Sequence, residues 1–69
     1  MVANVGKLRG KIAENGYNNG TFAKAMGISD VTLRRKINDA EHEFGLGEIN
    51  KARQLLKLTD NELLAIFFG

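Results

Sequence analysis

Apolar residues recur at helical spacing in five short segments of the chain. Val5, Leu8 and Ile12 follow an i, i+3, i+7 pattern that predicts a helix over about residues 4–14. The same kind of pattern predicts helices over about residues 19–26, 30–37, 48–56 and 60–67, and we predict no strands. A length of 69 residues suits one domain near the lower size limit for an unaided core. We therefore predict an all-α fold, a compact bundle of five helices in a single domain over residues 1–69.

Polar and glycine residues mark where these helices begin and end. Asn18, Ser29 and Thr59 precede apolar helical segments and are predicted N-caps, with Thr59 opening a capping box. Gly16 and Gly27 follow the first two helices, where glycine permits a left-handed backbone. The predicted helices are therefore separated by glycine and not by proline, which the chain lacks.

Charge is distributed unevenly along the chain. Residues 1–38 carry seven basic and two acidic side chains, whereas residues 39–69 carry three basic and six acidic ones. This segregation favours a first half that faces a polyanion. Chance also produces uneven splits, so charge alone is weak support for this interpretation.

The second and third predicted helices are joined only by Gly27-Ile28-Ser29, an arrangement typical of a helix-turn-helix. Glycine permits the tight turn, the following isoleucine fills the gap between the helices, and small Ala23 lets them approach closely. Ile37 follows Leu33 by four residues, where many such motifs have three, but the two side chains still share one helix face. Six positions in register carry the residue types that the motif needs: Phe22, Ala23, Met26, Gly27, Ile28 and Leu33.

Leu33 and Ile37 define the buried side of the third helix, and a rotation of about 100° per residue then orients the rest. Arg35 falls opposite the buried side, and Val31 lies one turn earlier on the same outward face. In a major groove, valine can contact a thymine methyl group, arginine can pair with guanine and asparagine with adenine. The alternative is that Val31 belongs to the core and that the basic run Arg34-Arg35-Lys36 is an ordinary solvated face.

Phosphate contacts are expected at the start of the second helix, where backbone N–H groups lack intrahelical partners. Acidic side chains at Asp39, Glu41 and Glu43 directly follow the third helix, so they either weaken non-specific binding or point away from the duplex. The complete predicted DNA-binding set is Asn19, Thr21, Lys24, Ser29, Val31, Thr32, Arg34, Arg35, Lys36 and Asn38.

Other chemistry is weakly represented. His42 lies between two glutamates without a second histidine, so we predict a solvated side chain and no metal. The segment Gly45-Leu46-Gly47 lacks the features of a nucleotide-binding loop and is predicted to be a flexible entry to the fourth helix. No nucleophilic constellation is present, so we expect no enzymatic activity, cofactor or small-molecule ligand. No apolar run is long enough for a membrane span, which makes a cytoplasmic location the expectation.

The fifth predicted helix carries two apolar faces. Leu63, Ile66 and Phe67 form the face expected to dock on the core, whereas Leu64 and Phe68 lie on a second face. Adjacent exposed apolar side chains favour an interface, so we predict that Leu64 and Phe68 form the contact of a homodimer. The alternative is that the chain end folds back and buries Phe68 within its own monomer.

The runs Phe22–Ser29 and Thr32–Asn38 resemble the helix-turn-helix of the lambda repressor and Cro superfamily. The segments Phe44–Ile49, Leu55–Asp60 and Ile66–Phe68 are similar to those of short prophage-encoded, Cro-type repressor-like proteins. The resemblance implies a five-helix fold, a homodimer on a near-palindromic operator in double-stranded DNA, and control of phage genes in a bacterial host.

The leading hypothesis is therefore a transcriptional repressor that occludes a promoter. A competing hypothesis is an antirepressor that keeps the fold but binds another repressor, which the acidic residues of the second half would allow. An antitoxin is a third possibility, but we find no toxin-binding segment.

Overall fold

Helices fill most of the computed structural model, which describes residues 1–69. α1 spans Val5–Glu14, α2 Asn19–Met26, α3 Asp30–Asn38, α4 Leu46–Leu56 and α5 Asp60–Leu63, and a π-helical segment, Leu64–Phe68, continues α5. No residue lies in a strand. The radius of gyration is 10.6 Å. The prediction of a compact, all-helical fold with five helices is confirmed.

Side-chain caps begin the helices as the sequence predicts. The Asn18 side chain accepts from the Thr21 amide at 2.9 Å, and the Thr21 hydroxyl accepts from the Asn18 amide at 2.8 Å. Ser29 Oγ accepts from the Thr32 amide at 3.1 Å. Thr59 Oγ1 accepts from the amide three residues later at 3.2 Å. Each cap satisfies a backbone donor that would otherwise lack a partner, so all three predicted N-caps are confirmed.

The turn between α2 and α3 depends on Gly27. Its φ of 78° is left-handed, as predicted, and Gly16 has a similar φ of 80° at the end of α1. The Gly27 amide donates to the Lys24 carbonyl at 3.1 Å, and the Ile28 amide donates to the Ala23 carbonyl at 3.0 Å. This pair of bonds is the Schellman pattern, which closes α2 and reverses the chain within a few residues.

Some helix boundaries differ from the predicted ones. α4 begins at Leu46 instead of residue 48, because Gly45 is the N-cap and Glu48 Oε1 accepts from its amide at 2.9 Å. The predicted flexible entry at Gly45-Leu46-Gly47 is therefore wrong for its last two residues, which form the first helical turn. α3 extends one residue further, to Asn38, and the fifth helix changes from α to π at Leu64.

The core draws buried side chains from α1 to α4 and from the π-helical segment, and Leu63 of α5 packs against it while partly buried. Tyr17, just before α2, packs edge-on against Phe22 with the ring centroids 5.7 Å apart. The two helices of the predicted helix-turn-helix contact each other extensively. The buried cluster consists of Val2, Leu8, Ile12, Phe22, Ala23, Met26, Leu33, Ile37, Ala52, Leu56, Leu58 and Ile66. The sequence pattern placed the buried faces of α1 to α3 correctly.

A charge cluster joins α1 to α5. Lys11 Nζ contacts Glu62 Oε2, and it lies 3.2 Å from Glu14 Oε2. The Lys11 ammonium, together with the Thr59 amide, lowers the pKa of Glu62 from 4.5 to about 2. Because the folded pKa is depressed, protonation of Glu62 favours the unfolded chain.

We expect the contribution of Glu62 to stability to be present above about pH 4.5 and to be lost as the pH falls toward about 2. Urea unfolding midpoints measured across this range should fall less steeply with decreasing pH in Glu62→Gln than in the wild type. Glu14→Gln is the matched control, because Glu14 contacts the same lysine but its side chain is 66% exposed. Equal slopes in the Glu62 variant and the wild type would contradict this assignment.

Candidate nucleic-acid interface

The outward face of α3 presents an apolar and a basic side chain one turn apart. Leu33 and Ile37 are buried, as predicted, whereas Val31 is 56% exposed and Arg35 is exposed. Arg35 forms an ion pair with no acidic side chain. The alternative in which Val31 belongs to the core is therefore wrong. Thr32 is half-buried beside this face.

Asp30 connects the beginnings of α2 and α3. The Asn19 side-chain amide donates to Asp30 Oδ1 at 2.9 Å, and Arg34 Nη2 donates to Asp30 Oδ2 at 3.2 Å. The sequence does not predict that Asp30 links these two helices. The i, i+4 spacing of Asp30 and Arg34 was a signal for their ion pair, but the contact with Asn19 depends on how α2 and α3 pack. We call Asn19, Asp30 and Arg34 the Asp30 clasp.

A surface cleft of about 480 Å³ lies beside this clasp, between α1, the start of α2 and α3. Two arginines line it, Arg9 from α1 and Arg34 from α3, together with Asn18, Asn19 and Asn38. The predicted residues Asn19, Arg34 and Asn38 are thus brought together. Arg9 was missed, because no local pattern indicates which side of α1 faces the helix-turn-helix.

The start of α2 contributes backbone donors near this cleft. The amides of Asn19 and Gly20 lie in the first turn, where helical geometry supplies no acceptor. The amide and hydroxyl of Thr21 are both engaged in the capping box with Asn18. Ser29 is similarly occupied, since its Oγ lies 2.8 Å from Thr32 Oγ1. Thr21 and Ser29 therefore position backbone at this surface and have less freedom to bind a ligand.

Lys24 and Lys36 differ in their surroundings. Lys24 is exposed on α2 and has no acidic partner. Lys36 Nζ lies 3.0 Å from Glu48 Oε1, 3.1 Å from the Glu43 carbonyl and 5.9 Å from the centre of the Phe44 ring. The Lys36 side chain is only 18% exposed. The structure therefore does not bring Lys36 to the exposed face with the other predicted residues, and it uses Lys36 to anchor the connection between α3 and α4.

The carboxylates that do not pair with a lysine or arginine are concentrated in one loop. Five of the eight carboxylates pair with a lysine or arginine: Glu14, Asp30, Glu48, Asp60 and Glu62. The three others, Asp39, Glu41 and Glu43, all lie in residues 39–43, which we call the acidic loop. The Glu41 amide and then the nearby His42 lower the pKa of Asp39. This loop directly follows the last turn of α3.

His42 forms no metal site with its neighbours. Its Nδ1 lies 3.2 Å from Asp39 Oδ2. No group of three or more histidine, cysteine, aspartate or glutamate side chains converges anywhere in the structure. The imidazole therefore serves as a local partner for the aspartate.

A second surface, at the chain end, is apolar. Leu64 is 54% and Phe68 59% exposed, so the alternative in which the chain end folds back and buries Phe68 is wrong. Leu46 at the start of α4 is 76% exposed, which the sequence does not indicate because it predicts a flexible entry at this residue. A depression of about 260 Å³ borders Phe68 and is lined mainly by apolar side chains, among them Val2 and Phe44.

Comparison with known proteins identifies a family but no role. No helix has both the length and the apolar character needed to cross a membrane. No curated protein matches the chain. One family model, described as "Protein of unknown function (DUF739)", matches residues 1–69. Because the match covers the whole chain, the protein belongs to the DUF739 family.

Proposed function

We propose that this protein is a sequence-specific DNA-binding transcriptional regulator, a Cro-type repressor of the lambda repressor-like fold that occludes a promoter. The observation that carries the proposal is the exposed pair Val31 and Arg35 on α3, directly after a tight glycine turn. An unpaired arginine one turn from an exposed valine has the chemistry to read guanine beside a thymine methyl group.

The surroundings of α3 suit the phosphate backbone. Arg9 and Arg34 line one cleft with Asn19, the first residue of α2, and a helix N-terminus favours an anion. Lys24 adds an unpaired charge on the same helix. Such contacts would fix the register of α3 on the duplex without reading sequence. Asn38 at the end of α3 is exposed and would complete the reading face.

We further propose that the protein acts as a homodimer on a near-palindromic operator, in the cytoplasm and nucleoid of a bacterial host. One helix reads about half of an operator, so two symmetric copies are needed for useful specificity. Leu64 and Phe68 are the proposed contact. The role requires no catalysis, metal or small-molecule ligand.

The test is selection of bound duplexes by the wild-type protein from a library randomised over about 20 base pairs, two half-sites one helical turn apart. We expect a near-palindromic consensus containing guanine and thymine, and a retarded band that weakens steeply with salt. Recovery of no consensus, with no retarded band at low salt, would overturn the proposal.

The acidic loop favours a second candidate, an antirepressor that binds another repressor. A surface with three carboxylates unpaired by lysine or arginine repels phosphate but suits a basic protein. Reversing the charge of two residues in the acidic loop, with Glu41→Lys and Glu43→Lys together, separates the two candidate functions. A DNA-binding regulator should then bind random duplex more tightly, whereas an antirepressor should lose binding to its repressor partner in a pull-down.

Lys24 and Lys36 provide a test of the phosphate surface. Lys24→Ala should weaken binding to selected and random duplexes alike and reduce the log–log salt slope by about one, because a phosphate contact carries no sequence information. Lys36→Ala should instead lower the urea midpoint, because it removes the partner of Glu48, and should change the salt slope little. Band-shift titrations at several salt concentrations measure both slopes. A larger slope change for Lys36 than for Lys24 would show that Lys36 leaves Glu48 and binds DNA.

A further inference from the structure

We infer that Asp30 is a specificity-determining residue that acts through Asn19 and Arg34. The same carboxylate lowers the affinity of the protein for non-specific DNA. This inference rests on the proposed function. It concerns the one carboxylate within the basic reading surface, a group whose charge opposes binding to any duplex.

The geometry of the Asp30 clasp carries the inference. Asp30 is the first residue of α3, and its two carboxylate oxygens serve two different elements. Oδ1 accepts from Asn19 at the start of α2, 2.9 Å away, and Oδ2 accepts from Arg34 one turn along α3, 3.2 Å away. Both partners line the cleft that also holds Arg9. One side chain therefore sets the positions of two groups at the proposed phosphate-binding cleft.

The clasp has opposite effects on the two kinds of complex. With any duplex, the carboxylate repels phosphate. It also engages the Arg34 guanidinium, so one fewer positively charged side chain is available to bind phosphate. In the specific complex, fixed positions of Asn19 and Arg34 hold α3 in one register, so that Val31 and Arg35 meet the correct base edges. Loss of Asp30 should therefore strengthen random binding and weaken discrimination, whereas loss of an ordinary structural residue weakens both complexes.

The experiment compares Asp30→Asn and Asp30→Ala with the wild type on a duplex selected by the wild-type protein and on poly(dI-dC). Asp30→Asn removes the charge but keeps an acceptor for Asn19, and Asp30→Ala removes both contacts. Asp60→Asn is the matched control, because Asp60 is also the first residue of its helix, follows a hydroxyl cap and pairs with an arginine, but lies on α5.

For both Asp30 variants we expect the salt slope on poly(dI-dC) to steepen by about 0.9, as one arginine becomes free to bind phosphate. The ratio of selected to poly(dI-dC) affinity should fall about tenfold, with the larger loss in Asp30→Ala, and Asp60→Asn should match the wild type. In the free protein, the NMR signals of the Asn19 side-chain amide should shift in Asp30→Ala and remain in place in Asp60→Asn.

Parallel weakening of both duplexes with an unchanged slope would overturn the inference and leave Asp30 a structural residue. Unmoved Asn19 signals in Asp30→Ala would also overturn it, since the clasp would then be absent in solution. In either case the wild-type protein would still discriminate between the duplexes, and the proposed function would stand. A wild-type protein without DNA affinity would instead overturn the proposed function and this inference together.

Discussion

Replacing Arg35 with alanine is expected to weaken binding to the selected operator by about ten- to a hundredfold, the loss of one bidentate arginine–guanine contact. Arg35 has no acidic partner to release and lies opposite the buried face of α3, so truncation should leave the fold intact. Affinity for random duplex should fall only a few-fold, because a single charge is lost. Band-shift titrations on both duplexes measure the difference.

A matched control is available on α1. Lys7 is exposed and borders the groove between α1 and the end of the chain, so Lys7→Ala removes an equal charge away from α3. We expect it to lower operator affinity far less than Arg35→Ala. Equal losses on selected and random duplexes in Arg35→Ala would place Arg35 on phosphate, and the reading role would then move to other side chains of α3.

Features encoded by neighbouring residues were predictable from the sequence. The turn between α2 and α3 requires glycine at a left-handed position, and the N-caps at Asn18 and Ser29 require a short polar side chain, so each leaves a local signal. The exposure of Val31 followed in the same way from the spacing of Leu33 and Ile37. These features determine which face of α3 points outward, and this is the face that we propose reads DNA.

Features that depend on packing between distant segments were not predictable. The hydrogen bond from Asn19 to Asp30 and the position of Arg9 in the cleft each require the relative placement of two helices. The sequence predicts Lys36 as a DNA contact, because nothing in its own helix indicates Glu48, which lies twelve residues away. This pairing removes Lys36 from the exposed part of the basic run Arg34-Arg35-Lys36.

The earlier start of α4 also bears on the proposed dimer contact. The Glu48 carboxylate accepts from the Gly45 amide and also pairs with Lys36. The helix therefore begins at Leu46, and the Leu46 side chain is directed to solvent. Leu46 is therefore exposed, as are the predicted pair Leu64 and Phe68. Leu46 is a second position at which the proposed dimer contact can be tested.

Replacing both Leu64 and Phe68 with glutamate is expected to convert a dimer to a monomer and to weaken operator binding by about a hundredfold or more. Four carboxylates would be brought into one symmetric contact, and their desolvation is unfavourable. A monomer contacts only one half-site, so the loss of affinity for the operator should greatly exceed the loss of affinity for random duplex. Sedimentation equilibrium at tens of micromolar protein measures the mass, and band shifts measure the affinity.

Gln54→Glu on the exposed side of α4 is the control, since it adds negative charge without altering an apolar side chain. It should leave both mass and operator affinity unchanged. Leu46→Glu locates the contact independently. If Leu46→Glu dissociates the dimer while the double variant at Leu64 and Phe68 remains dimeric, the interface lies at the start of α4 instead. A wild-type protein that is monomeric in solution but still retards the operator as a two-copy complex would restrict the contact to pairing on DNA, where the double variant should abolish cooperativity between half-sites.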